Sequence, residues 1–135
     1  MAAWAIAQVG TPWVHQGRVP FGGLDCVGLP VCDARAHGIA VADMLEYSET
    51  PDPSQLMEYV RRNCEQVASP VVGGLLVFWI GRREITTHAG IYVGETSKGV
   101  GRFVHARRTI DGGTVRVGEL TGSWGRRLAS CWRYK

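Results

Sequence analysis

The chain has 135 residues, 45% hydrophobic and 20% charged, a balance that suits one folded domain over 1–135 and argues against disorder. A domain of that length buries about two-thirds of its unfolded surface, enough for a core without staples. The net charge of +3 rests on fifteen basic residues, thirteen of them arginines dispersed in pairs such as Arg61-Arg62, Arg82-Arg83, Arg107-Arg108 and Arg126-Arg127; no basic stripe runs among aromatics, which argues against a nucleic-acid partner.

Residues 1–10 carry no basic leader, and their apolar run is too short for a secretory or spanning segment, so a soluble chain made in the cytoplasm, without membrane insertion, is expected. Ala2 to Val9 is expected to form a short helix, closed at Gly10 and stopped by Pro12. Thr11 to Leu24 reads as a loop, because Gly17, Pro20, Gly22 and Gly23 work against regular structure. Asp25 then caps a helix running to about His37, with Gly38 just past its end and Cys26 in its first turn. Asp52-Pro53-Ser54-Gln55 is a second helix start, with Asp52 as cap, Pro53 at the first helical position and Gln55 completing a capping box. Leu56, Val60, Cys64 and Val67 recur at helical spacing and form its buried face, leaving Arg61, Arg62 and Glu65 to water.

From Val71 onward the pattern is that of strands: Leu75 to Ile80, Thr87 to Val93, Arg102 to Ala106, Thr114 to Val117 and Cys131 to Tyr134. Helices first and strands second give an α+β fold, N-terminal helices packed on a C-terminal antiparallel sheet. Along the second strand His88, Gly90 and Tyr92 share one face, while Ala89, Ile91 and Val93 form the apolar one. If His105 pairs opposite Gly90, the two histidines become diagonal neighbours and the glycine leaves the space between them open.

Four cysteines, at 26, 32, 64 and 131, form neither a dense framework nor a C-x-x-C pair, so reduced thiols are expected. Cys32 and Cys64 read as core residues, and Trp4, Trp79, Trp124 and Trp132 as packing residues. Cys26 is different: after Gly22-Gly23 and beside Asp25, with His88 and His105 available, it completes a nucleophile, a base and an orienting partner. A helix N-terminus and a nearby imidazolium favour thiolate over the thiol that dominates at the ordinary pKa of about 8.5, so an ionised Cys26 is expected. Its attack creates an oxyanion, for which the Cys26 backbone N–H is one donor, worth about 3 kcal/mol in the transition state. The Trp13 indole N–H and a His15 nitrogen are candidates for the second, and Asp25, at the same substrate-binding end, reads first as a helix cap. A zinc site built from His15, His37, Cys26 and Cys32 lacks the usual ligand spacing, so no metal is expected.

Gly10-Thr11-Pro12-Trp13, Asp25-Cys26-Val27-Gly28-Leu29, His88-Ala89-Gly90-Ile91-Tyr92-Val93 and Phe103-Val104-His105-Ala106, in that order, closely resemble the NlpC/P60 cysteine peptidases. With His15-Gln16-Gly17-Arg18, the likeness is closest to members encoded among phage, phage-like and gene-transfer-agent tail genes. The resemblance implies a papain-like α+β fold and thiol-dependent hydrolysis of peptidoglycan stem-peptide amides, typically between D-glutamate and a diamino acid. It implies Cys26 as nucleophile, His88 as base and then acid, His105 as the group orienting His88, and no metal or organic cofactor. The partners it implies are the stem peptide and other tail tip or hub proteins, for a protein assembled into a virion-like tail in the host cytoplasm and acting at the cell wall during entry. The sequence departs from the family pattern at Val27, where serine is usual, at Trp13, where tyrosine is common, and at Pro30 inside the helix. Those departures motivate the alternative, a structural tail-tip or assembly protein with a vestigial or occluded site; thiol chemistry on another amide, as in deamidases or toxins, is a third reading.

Overall fold

Residues 2–44, 46–49, 52–81 and 86–135 are described by a computed structural model, 86 and 87 by their backbone alone; the Arg82-Arg83 pair lies outside the described residues. Helix α1 spans Ala3–Ala7, and Gly10, at φ 97°, turns the chain away from it. The next residues are stitched to the sheet: the Gly10 N–H donates to the Val115 carbonyl at 2.9 Å, the Val115 N–H to the Thr11 carbonyl at 2.8 Å, and the Trp13 N–H to the Gly113 carbonyl at 2.9 Å. Where sequence suggested an unstructured loop, β1 (Arg18–Val19) and β2 (Gly23–Leu24) form a small antiparallel ladder. The glycines and proline close its turn instead of preventing it, the Gly22 N–H bonding the Val19 carbonyl at 2.9 Å across Pro20 and Phe21.

Helix α2 spans Gly28–Ala36, ending as expected before Gly38, which sits at φ 75°. Helix α3 spans Pro53–Asn63, and the Asp52 side chain accepts from the Ser54 N–H at 2.8 Å. The capping box stays incomplete, because the Gln55 amide donates instead to the Glu46 carbonyl at 3.4 Å. The helix also stops four residues short of the apolar pattern. Asn63 bridges the Tyr59 and Ala42 carbonyls, each at 2.9 Å, and Cys64–Val67 continues as strand β3, with Cys64 buried and Val67 half-buried. Apolar spacing alone does not distinguish a helix from a helix followed by extended chain.

Five further strands, β4 (Leu75–Trp79), β5 (Thr86–Glu95), β6 (Gly101–Arg107), β7 (Thr114–Glu119) and β8 (Leu128–Tyr134), complete a six-stranded sheet in the order β3-β8-β4-β5-β6-β7. Every neighbouring pair is antiparallel, so the α+β architecture is as the sequence implied. Alternation sorts the side chains into two clusters. Leu75, Val77, Ala89, Ile91, Val104 and Ala106 pack with Leu29, Leu56 and Val60 of α2 and α3. Leu76, Phe78, Tyr92 and Phe103 pack on the other side, under Trp124 of a short helix, α4 (Gly122–Arg127), that sequence did not suggest. Phe78 and Phe103 are fully buried there, each contributing about 1.5–3 kcal/mol by leaving water.

Candidate active site

The entry to α2 is organised by one carboxylate. Asp25 Oδ1 accepts from the backbone N–H groups of Val27 at 3.1 Å and Gly28 at 2.8 Å, while its carbonyl accepts from the Leu29 N–H at 3.1 Å. Helical bonding therefore begins at Asp25 and puts Cys26 in the first turn, yet the regular helix starts two residues later because Pro30 has no N–H to return to the Cys26 carbonyl. Oδ2 of Asp25 accepts from the Tyr47 hydroxyl at 2.6 Å and the Gln16 N–H at 2.8 Å, and Arg18 reaches Oδ1 at 3.3 Å. Gly28 is needed for this crowding: a Cβ there would lie 1.9 Å from the Gly17 carbonyl oxygen.

Strands β5 and β6 carry the two histidines. Ile91 pairs with Val104 and Tyr92 with Phe103, a register that sets His105 opposite Gly90, as anticipated. The space beside the glycine is filled: a Cβ on Gly90 would lie 2.9 Å from the Phe103 ring and 3.4 Å from the His105 Cβ. The imidazoles meet at 2.8 Å, His88 Nε2 to His105 Nδ1. On β4, Phe78 pairs with His88 but Trp79 with Thr86, so Thr87 is an extra residue that bends β5 next to His88. Trp124 closes over both rings, with centroids 5.7 Å from His88 and 4.9 Å from His105.

The sulfur lies against β5, where the backbone N–H of Ala89, the residue after His88, and the N–H of Cys26 itself interact with it. Cys26 and His88 open onto one cleft of about 460 Å³, walled by Trp13, Glu49, Ile80 and residues 106–110. Cys26 is 7% exposed, His88 5% and His105 2%. Burial first, and the Asp25 charge second, push the Cys26 thiol up to about 12, against the pull of the two backbone amides. The resting sulfur is thus a thiol, a correction to the ionised Cys26 expected from the helix N-terminus: desolvation outweighs the partial charge of one helix end. Burial also lowers both imidazoles. His88, further opposed by the charges of His105 and Arg107, falls well below its ordinary value, and His105, facing Arg107 and Arg116, falls to about 4. The pair is neutral near pH 7, the state in which a ring nitrogen can accept a proton.

A family model described as the NlpC/P60 family matches residues 10–133. The chain belongs to the NlpC/P60 family. A curated relative, the probable endopeptidase YafL of Escherichia coli (strain K12), is 32% identical over 113 residues, which are 84% of this chain and 40% of the relative. Two solved structures share the fold. One, from Staphylococcus aureus subsp. aureus Mu50 and described as similar to lipoprotein, NLP/P60 family, has a TM-score of 0.67 at 21% identity over 98% of this chain and 39% of its own. The other, the NlpC/P60 domain of peptidoglycan hydrolase SagA, has a TM-score of 0.59 at 24% identity over 96% and 92%.

Of the positions singled out in sequence, this NlpC/P60 chain brings Cys26, His88 and Trp13 to one cleft, with His105 behind His88. Asp25 is a cap and a junction, its oxygens taken up by five donors, and a carboxylate has no proton to offer an oxyanion. His15 stands exposed between Trp13 and Tyr47, stacked on the one at 6.4 Å and edge-on to the other at 5.7 Å, and does not line the cleft. Val27, in place of the usual serine, is buried in the core beneath α2. Sequence reasoning missed Ala89 and Arg107: Ala89 acts through its backbone, which no side-chain motif reports, and Arg107 was legible only as half of a charged pair. Trp124, read as a packing residue, is one. Among the described residues no group of three or more His, Cys, Asp or Glu could hold a metal ion, and no helix is long and apolar enough to cross a membrane.

Proposed function

We propose that the chain is a cysteine peptidase that hydrolyses a peptidoglycan stem-peptide amide between D-glutamate and a diamino acid, with Cys26 as nucleophile, His88 as base and then acid, and His105 as the residue orienting His88. The supporting observation is the Cys26 sulfur lying against β5 at Ala89, on the same cleft as His88, whose far nitrogen is bonded to His105 at 2.8 Å. If His88 Nε2–H donates to His105 Nδ1, the Nδ1 of His88 is left bare to take the thiol proton. The sulfur then bonds to the amide carbon, and the Cys26 N–H steadies the oxyanion with Ala89 N–H or the Trp13 indole as second donor. Collapse breaks the C–N bond while His88 returns its proton to the departing amine. Water, deprotonated by His88, splits the thioester and restores the thiol. The names of the relatives, an endopeptidase and a peptidoglycan hydrolase, agree with this reading. Purified sacculi treated with the protein should release cleaved muropeptides identifiable by mass spectrometry; equal release by Cys26→Ala would refute the proposal.

The His15-Gln16-Gly17-Arg18 likeness supports a further element, that the protein is a component of a phage-like tail acting at the wall during entry. Particles purified from producing cells should then contain the chain together with tail-tip proteins, and its absence from them would remove the tail role. One observation favours the alternative of a structural protein with an idle site: the burial of Cys26, which is 7% exposed. Release of muropeptides by the wild type would end that alternative.

A further inference from the structure

Arg107 ends β6, two residues beyond His105, and lines the cleft that holds Cys26 and His88. Its guanidinium lies over the Trp124 ring at 5.1 Å, and Arg127 lies over the same ring at 5.5 Å. The neighbouring Arg108 shows the contrast: it is paired with Glu49 and stands over Trp13. The other ion pairs bind Arg18, Arg35, His37 and Arg133 to Asp25, Asp43, Asp33 and Glu65. Among the described residues, none joins an acid to Arg107, Arg116 or Arg127. A half-buried cation on a cleft wall, crowded by like charges and seated over an indole, suits an anion, and the planar fork of arginine matches a carboxylate with two parallel hydrogen bonds.

We propose that Arg107 binds a free carboxylate of the substrate beside the scissile amide. This rests on the stem-peptide reading above, in which a γ-linked D-glutamyl residue presents its α-carboxylate next to the bond attacked by Cys26. Burial and the charges of Arg127 and Arg116 lower the pKa of Arg107, so an arriving carboxylate relieves an existing repulsion. It also offsets the positive charge facing His88, making that ring a better base when substrate is seated. The charged groups that act on His88 are His105 and Arg107, both from β6, and Cys26 shares its cleft.

The test compares L-alanyl-γ-D-glutamyl-L-lysine with its D-isoglutaminyl counterpart, in which the carboxylate is an amide. The wild type should prefer the carboxylate peptide by about tenfold or more in kcat/KM, the size of a charge-assisted contact; Arg107→Gln should collapse that ratio toward unity, and Arg107→Lys, which keeps the charge but loses the fork, should fall between. An equal rate on both peptides, or a preference that survives Arg107→Gln, overturns the proposal. Calorimetry on the Cys26→Ala background separates it from the proposed function. If neither peptide is cleaved, the hydrolase reading fails, while tighter binding of the carboxylate peptide that Arg107→Gln abolishes still supports the site; equal binding, or none, overturns it.

Discussion

Replacing His105 with glutamine is expected to change the pH dependence of stability more than stability near neutrality. Burial, followed by the charges of Arg107 and Arg116, lowers the ring from its ordinary 6.5 to about 4. The unfolded chain protonates the same ring at its ordinary value, so the native contribution is whole above about pH 6.5 and is lost as pH falls from there toward about 4. Near pH 4.5 the loss is about 2.5 kcal/mol, and His88, lowered by burial and the charges of His105 and Arg107, adds to it in the same direction. Asp33 works the opposite way. Raised by burial from 3.8 to about 6, it favours the protonated form in the fold and adds stability as pH falls through that window. The wild-type curve mixes both slopes, and the difference between wild type and His105→Gln isolates the ring. Near pH 7.5 the variant should be less stable by about 1 kcal/mol, the bond lost to His88; near pH 4.5 the order should reverse by about 1–2 kcal/mol. Urea unfolding across that range measures it, and a difference that stays constant with pH refutes a buried, neutral imidazole pair.

Alkylation of Cys26 by iodoacetamide in the free protein should accelerate about tenfold per pH unit without levelling off below about pH 10, because the thiol is held near 12; a plateau near neutrality would show a resting thiolate. Asp33→Asn should stabilise the fold by up to about 3 kcal/mol at neutral pH, with the gain disappearing below about pH 4, since it removes a buried carboxyl raised to about 6; thermal melts at the two pH values check it. Gly28→Ala would set a Cβ 1.9 Å from the Gly17 carbonyl oxygen and 2.9 Å from the Arg18 guanidinium, so it should cost about 1–3 kcal/mol by overpacking. An unchanged Tm would contradict the close approach of that loop to the helix.

The α+β order and the His88–His105 register were legible because apolar alternation and glycine placement are local signals that tertiary structure had no reason to override. The turn of α3 into β3 and the β1–β2 ladder were not, since both depend on partners distant in sequence: β8 for Cys64–Val67, and the stitched segment around Trp13 for the ladder. The candidate nucleophile and bases were visible by residue type and spacing. The charge state of Cys26 was not. Spacing shows that the sulfur meets a helix N-terminus, but the burial that outweighs it arises only when the helices and the sheet close one core around Cys26. For the same reason the sequence showed Arg107 as half of a surface pair, and only the fold carries it to the cleft.

The central claim is that Cys26 forms a covalent bond to the stem-peptide carbonyl. Acid quenching of the protein during turnover of L-alanyl-γ-D-glutamyl-L-lysine, followed by intact mass and peptide mapping, should find the L-alanyl-γ-D-glutamyl group as a thioester on Cys26. Cys26→Ala should carry none. Turnover with no adduct on Cys26 in the wild type, or equal turnover by Cys26→Ala, would contradict the account.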